Sequence, residues 1–345
     1  MSSVAISARC RARLLGFAVT AAIAASLPAA AAEFYQGKTF SIYVGFPPGG
    51  GYDTNSRALA RHLGDHIPGK PTVVVKTLTG AGSQRLVDYL YFVAPKDGTS
   101  MGTFDHGLIP GPLLKPDKIK YDSRKLTWIG SIAKGADICI TWHNSPIKTL
   151  ADMLAKPVTL GASGTEDHRY IQSNLLRTMF GARGVKPVTG YAGSADIWVA
   201  MERGEIDGDC GEGWSVIKGS KSDWLTGKQI NIPVQFTTER HPDLPNVPSI
   251  IEAAKTPEQK AVLELLLADQ LTFRPYASSP GIPAARRDIL RKAFMDTMKD
   301  PGFLQDAAKT KIDVSPMTGA EMETVIAGIY RTPPAVIESA RKYIH

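Results

Sequence analysis

The stretch Lys38–Asp53, KTFSIYVGFPPGGGYD, carries an alternating apolar run into a glycine turn and a helix start. Phe40, Ile42, Val44 and Phe46 occupy alternate positions, which gives an extended strand one apolar face. Pro47 and Pro48 lack the donors a ladder needs, and Gly49-Gly50-Gly51 supplies a turn. From Asp53 to Ile67, Leu59, Leu63 and Ile67 recur every fourth residue, the apolar stripe of a helix. Working outward, a valine-rich strand is predicted over residues 71–78. The turn Thr79-Gly80-Ala81-Gly82-Ser83 follows, then a helix carrying Leu86, Leu90 and Val93, and a third strand over 99–104. The order returns beyond Trp128, with strands at 138–141 and 158–160, a loop Gly161–Gly164 and a helix over 167–180. A strand at 187–191, a helix at 194–203 and a strand at 206–210 come next. Past Ile230 the pattern gives a strand, a helix over 256–269, a strand at 271–277 and helical C-terminal segments. Strands separated by single helices define an α/β chain with parallel, crossover-wound sheets.

The N-terminus reads as an export signal. Arg9, Arg11 and Arg13 precede an apolar run from Leu14 to Leu27, and Ala29–Ala32 lead into Glu33. A basic start, a short apolar core and small residues before the cut are the parts of a signal peptide. The run is short of the roughly 20 residues a membrane span needs. Residues 1–32 are therefore taken as the signal, with mature material beginning near Ala32 or Glu33. Their removal takes three arginines and no acid, so the formal charge of +7 falls to +4. Lysine and arginine are scattered rather than gathered in a stripe, which speaks against nucleic acid. A mild positive balance suits an anionic ligand. Cys10 leaves with the signal. Cys139 and Cys210 have no histidine or cysteine at zinc-ligand spacing. Plain packing of two small core residues is the favoured reading, and an oxidising compartment leaves a bridge between them open.

Three places share one arrangement, a strand, then small residues, then a helix start: 46–53, 78–83 and 160–168. A helix start exposes unpaired N–H groups and a positive dipole end, and glycine lets a ligand oxygen come close. Ligands of open α/β sheets gather beyond the carboxyl ends of strands. Three such ends in one cleft make a carboxylate site of amides and hydroxyls. No arginine or lysine fork is expected at its centre, because 46–53 and 161–165 contain no basic residue. Gly50 is the position where a side chain is expected to obstruct the ligand. Neither the dinucleotide glycine spacing nor a phosphate-loop lysine is present. Gly161-Ala162-Ser163-Gly164 is not a nucleophile elbow, and adjacent Asp167 and His168 point apart on a helix. Glu205 and Asp207, near Asp209 and Glu212, could suggest a metal, but Glu205-Ile206-Asp207 reads as a helix-to-strand turn. No catalysis, cofactor or metal is expected.

Phe46-Pro47-Pro48-Gly49-Gly50-Gly51-Tyr52-Asp53 with Arg57 resembles the first-loop signature of the Bug-type receptors, the extracytoplasmic substrate-binding proteins of tripartite tricarboxylate transporters. Gly161-Ala162-Ser163-Gly164-Thr165 with His168 resembles the family's second-lobe loop. Tyr191-Ala192-Gly193-Ser194-Ala195-Asp196 resembles its tyrosine–glycine–serine turn, and Pro242–Ser249 its proline-rich return. The order covers essentially the whole mature chain. The resemblance implies the α/β periplasmic-binding-protein fold of the second type, two lobes around a ligand cleft. Lobe 1 would take 33–127 plus 238–345, and lobe 2 would take 128–237. It implies ligand contacts from Phe46, Pro48, Gly49, Gly50, Gly51, Tyr52 and Asp53 in the first loop. Gly82, Ser83 and Asp105 would add to these from lobe 1. Ser163, Gly164, Thr165 and His168, with Tyr191, Gly193, Ser194 and Asp196, would close from lobe 2. Two departures concern the substrate: Leu78-Thr79 replaces the usual Asn-Arg-Pro, and Asp105-His106 is polar where many members are small. The function implied is a monomeric periplasmic receptor for a di- or tricarboxylate or aromatic acid. It would serve a large membrane permease with a small companion subunit. A receptor that reports to a membrane histidine kinase is the alternative.

Overall fold

The computed structural model describes residues 33–344; residues 1–32, where the signal is expected, lie outside them. Two sheets form. The first contains β1 (Thr39–Val44), β2 (Thr72–Thr77), β3 (Ser100–Thr103), β4 (Thr127–Ser131), β10 (Pro275–Ser278) and β11 (Met317–Thr318) in the order β11-β4-β10-β3-β1-β2. The second contains β5 (Asp137–Trp142), β6 (Val158–Gly161), β7 (Val185–Val188), β8 (Gly208–Gly213) and β9 (Ile230–Phe236) in the order β7-β6-β8-β5-β9.

The sheets share one plan. β1 runs parallel to β2 and β3, and β6 parallel to β7 and β8, as the strand–helix alternation demands. The strand entered on each crossing is then inserted antiparallel: β10 between β3 and β4, and β5 between β8 and β9. The chain crosses twice, from Ser131 to Asp137 and again between Phe236 and Pro275. This is the two-lobed α/β architecture of periplasmic binding proteins. The sheets are mixed rather than purely parallel, because each returning strand enters from the opposite lobe. The first crossing falls after Ser131, so Thr127–Ser131 pairs in the first sheet although the sequence reading put 128 onward in the second lobe. Gln270, on the second crossing, stitches the two together: its Oε1 accepts from the Asp137 N–H (3.0 Å) and its Nε2 donates to the Asp137 carboxylate (2.7 Å).

The apolar stripes sit where the periodicity puts them. Phe40, Ile42 and Val44 are fully buried, and Leu59 and Leu63 of α1 (Gly51–His66) pack with Phe40 and Ile42 in the first-lobe core. β8 is the less legible strand. Its sequence GDCGEG has little strand propensity, yet all six residues are buried in mid-sheet. Cys139 of β5 and Cys210 of β8 are antiparallel register partners, and they are joined as a disulfide. The reading that favoured two packed thiols is thus corrected; their strands are adjacent, which spacing alone does not reveal.

Oxidised protein is expected to show no free thiol from Cys139 or Cys210 under denaturing conditions. Closing a loop with a sequence separation of 71 should contribute roughly 3–4 kcal/mol, so Cys139→Ser should lower the urea midpoint accordingly. Two titratable thiols in the parent would contradict the bridge.

Candidate functional site

The first loop leaves β1 at Val44 and turns through Gly45–Gly50 onto α1, where Gly50 caps the helix with extended backbone and no side-chain bond. Asp53 folds back on this loop. Its carboxylate accepts from the Gly49 N–H (3.1 Å) and holds the half-exposed Arg57 by its Nε at 2.9 Å. Phe46 stacks on Tyr52 with ring centres 4.8 Å apart, both buried. The Tyr52 hydroxyl accepts from the His106 N–H (3.2 Å) and lies 3.1 Å from His106 Nδ1.

The second-lobe loop is held by Asp167, the cap of α2 (His168–Thr178). Asp167 accepts from the Ser163 N–H (2.8 Å) and Oγ (2.6 Å), and from the Arg169 N–H (2.9 Å). Gly82, with φ +59°, lies against it. A Cβ there would stand 3.0 Å from the Asp167 nitrogen, so the 80–83 and 163–167 loops meet with only glycine between them. Gly164 faces Gly82 in the same contact. Ser83 Oγ accepts from the Asp105 N–H at 2.8 Å. Thr165 is exposed, and its carbonyl accepts from Lys115 Nζ (2.6 Å), which also pairs with Glu166 at 2.8 Å. Tyr191 borders a cavity of about 260 Å³ shared with Ser83 and Ser163. Gly193 and Ser194 open α3 (Ser194–Glu202), and exposed Asp196 accepts from the Ala192 N–H (3.2 Å). A smaller cavity of about 20 Å³, room for little more than a water, lies between Phe46, Pro48 and Gly50–Tyr52 on one side and Gly193–Ala195 on the other.

Behind the loops the lobes are joined by buried charge. His168 Nδ1 is 2.6 Å from Asp105 Oδ2, and Nε2 is 2.6 Å from the Gly211 carbonyl. A carbonyl only accepts and a carboxylate attracts the second proton, so both nitrogens donate and His168 is an imidazolium. Burial alone would lower its pKa, but Asp105, Asp137 and Asp167 raise it well above the usual histidine value. His106 Nε2 meets Asp137 Oδ2 at 3.3 Å. Burial would raise the Asp137 carboxyl, yet His168 and His106 hold it down at about 2. Arg169 reaches Asp209 (3.0 Å), Glu212 (3.1 Å) and Ser194 Oγ (2.8 Å). Burial pushes Asp209 up to about 7 and Asp269 up to about 6, opposed by Arg169 in the first case and His106 in the second.

Several of these residues escape the sequence reading. Asp167 and His168 do approach, at 3.3 Å, because Asp167 caps the helix rather than joining it. Two buried arginines stand beside the first loop, against the expectation of none: Arg169 on the cavity of Pro48 and Ser194, and Arg274 over the Tyr52 ring at 4.3 Å. The signal for Arg169 was the charged run Asp167-His168-Arg169 directly after a glycine loop. For Arg274 it was one guanidinium inside an apolar strand pattern. The turn expected over Glu205–Asp207 is present, Asp209 lies in the strand read at 206–210, and Glu212 extends that strand to Gly213. The tight glycine is also a different one. A Cβ on Gly50 would have only Ser194 within contact, at 3.9 Å, whereas one on Gly51 would meet Val216 at 2.6 Å and Arg274 at 2.7 Å.

Two lobes, paired helix starts and a crossing at each sheet place the chain in the fold of the Bug- and TctC-type periplasmic binding proteins. The periplasmic binding protein BugD superposes with a TM-score of 0.70 over 90% of this chain and 98% of its own, at 18% identity. MatC from Rhodopseudomonas palustris, solved with bound malate, gives 0.68 over 87% and 99%, at 16% identity. A second R. palustris protein, solved with adipate, gives 0.67 over 88% and 97%, at 17% identity. No family model and no curated protein matches the sequence.

The buried network predicts a pH response. His168 is raised in the folded state, so its contribution is complete below the unfolded value near 6.5 and is lost as pH rises through the folded value. Asp209 and Asp269 are raised acids, so stability also falls between about pH 4 and their folded values of about 7 and 6, where they ionise in the unfolded chain but stay protonated in the fold. Urea melts should therefore show stability falling as pH rises above 6.5, with Asp105, Asp137, Asp167 and His106 facing the titrating ring. His168→Gln should abolish the slope above 7 and cost about 3–5 kcal/mol at pH 6. An unchanged slope in the variant would contradict the imidazolium.

Proposed function

We propose that this chain is an exported receptor that holds a small organic carboxylate between its lobes and hands it to a tripartite tricarboxylate-type membrane transporter. The observation that carries the reading is the convergence of two helix starts, α1 at Gly51 and α3 at Ser194, on one interlobe cavity. Both present unpaired N–H groups and positive dipole ends. In this reading residues 33–131 and the chain after β9 form one lobe, the part between forms the other, and the ligand sits at their junction. The backbone of Pro48–Asp53, with Ser163, Ser194 and the Tyr191 turn, supplies donors, while Asp105 and His168 fasten the lobes behind the ligand. The malate and adipate of two structural neighbours belong to the same ligand class. A binding rather than chemical role is supported by the hydroxyls and imidazoles being engaged elsewhere. Ser163 bonds Asp167, and His168 bonds Asp105 and Gly211, so among the described residues no histidine is poised to activate Ser163. The export signal read over residues 1–32 supports the periplasm as the place of work.

Thermal melts against a panel of carboxylates, sugars and amino acids test this. A bound carboxylate at 100 times its Kd should add about 2.7 kcal/mol of stability. A shift from sugars alone, with every carboxylate silent, would contradict the reading.

A further inference from the structure

A second cavity, also of about 20 Å³, lies on the other side of Gly51, between the start of α1 and Ser215-Val216 of the second lobe, with Arg274 on its wall. Arg274 is 5% exposed. Its NH1 donates to the Phe273 carbonyl at 3.2 Å, and its guanidinium lies over the Phe273 and Tyr52 rings at 3.9 and 4.3 Å. Among the described residues no carboxylate pairs with it, and its Nε and NH2 have no hydrogen-bond acceptor. This differs from Arg169, the other buried arginine beside the loop, which Asp209 and Glu212 neutralise. The only carboxylate on the wall of the Arg274 cavity, Asp313, is half exposed and pairs with Lys218 at 3.5 Å.

The position makes the charge harder to explain from within the fold. NH2 stands so near the α1 start that a Cβ on Gly51 would be 2.7 Å from it. A sixteen-residue helix directs its positive end there, and a cation is unfavourable at such an end. A largely buried guanidinium with one carbonyl partner and no carboxylate is a placement that an anion would compensate. Two positive features thus converge on a cavity bounded by both lobes, with the charge that would satisfy them coming from outside the chain.

We infer that Arg274, with the α1 amides beginning at Gly51, forms the charge-bearing anion subsite of the cleft and receives a carboxylate end group of the ligand. The inference rests on the receptor reading and sharpens it. One end of the ligand meets a guanidinium fork, whose planar donors match a carboxylate in two parallel bonds. Gly51 is glycine because the guanidinium and Val216 occupy the space its side chain would need. Arg169 is then a positioning residue, fixing β8 and Ser194 without carrying free charge to the ligand.

The test is calorimetric titration of malate and of adipate into the parent, Arg274→Gln and Gly51→Ala. The parent is expected to bind at least one, and Arg274→Gln to lose about 30-fold or more in affinity, the worth of a charge-assisted pair. Unliganded Arg274→Gln should melt no lower than the parent, since it removes an uncompensated buried charge, whereas a merely structural arginine would lower the melt. Should Arg274→Gln fail to fold, Gly51→Ala carries the test: its methyl group displaces the guanidinium without changing charge, and it too should weaken binding. Variants that bind within threefold of the parent overturn the Arg274 subsite and leave the receptor reading standing. A parent that binds neither acid, nor any carboxylate of the panel, overturns both.

Discussion

The molecule is organised around one buried ion pair, Asp105 of the first lobe with His168 of the second. Asp105 is positioned by Ser83 and by the Gly107 N–H, and His168 is fixed at its far side by the Gly211 carbonyl. Asp137, at the first crossing, lies within reach of both histidines and is tied through Gln270 to the second crossing. The lobes and both connections therefore share one polar centre. Such a centre gives little net stability over an apolar core, but losing one partner strands a buried charge. Its consequence is orientation: it fixes where the first loop stands relative to the second.

That orientation explains why the glycines of the two loops matter differently. Gly82 and Gly164 let the lobes touch behind the site. Gly51 lets an arginine and a valine from outside the loop come against a helix start. Gly50 has room to spare and serves as a cap. One run of three glycines thus performs a turn, a cap and a close approach. Only the last bears directly on which groups surround a ligand.

Much of the architecture was legible in the sequence. Phe40, Ile42 and Val44 are buried as their alternation requires, Leu59 and Leu63 face the core, and the loops at 46–53, 80–83 and 161–165 do meet. What stayed hidden depends on contacts distant in sequence. β8 is read only as far as Cys210, because Gly211-Glu212-Gly213 lacks strand formers, and its neighbours β5 and β6 supply the burial. The disulfide needs the β5–β8 register. Arg274 lies more than two hundred residues from Tyr52, and nothing local marks it as part of the cleft. Charge in the loops themselves is a misleading guide, since the cations come from α2 and from Arg274, the residue just before β10.

Buried acids outnumber buried basic side chains behind the loops: Asp105, Asp137, Asp167, Asp209, Glu212 and Asp269 face His106, His168 and Arg169. An anion would be repelled from that side and drawn to the α1 start, where charge is positive and unpaired. The account therefore locates the ligand in front of the first loop, not within the ionic centre. Diffraction from crystals grown with adipate tests this most directly. The account predicts a carboxylate within hydrogen-bond distance of the Gly51–Asp53 amides, between closed lobes. Adipate density among Asp105, His106 and His168, or on a surface away from the first loop, would contradict it.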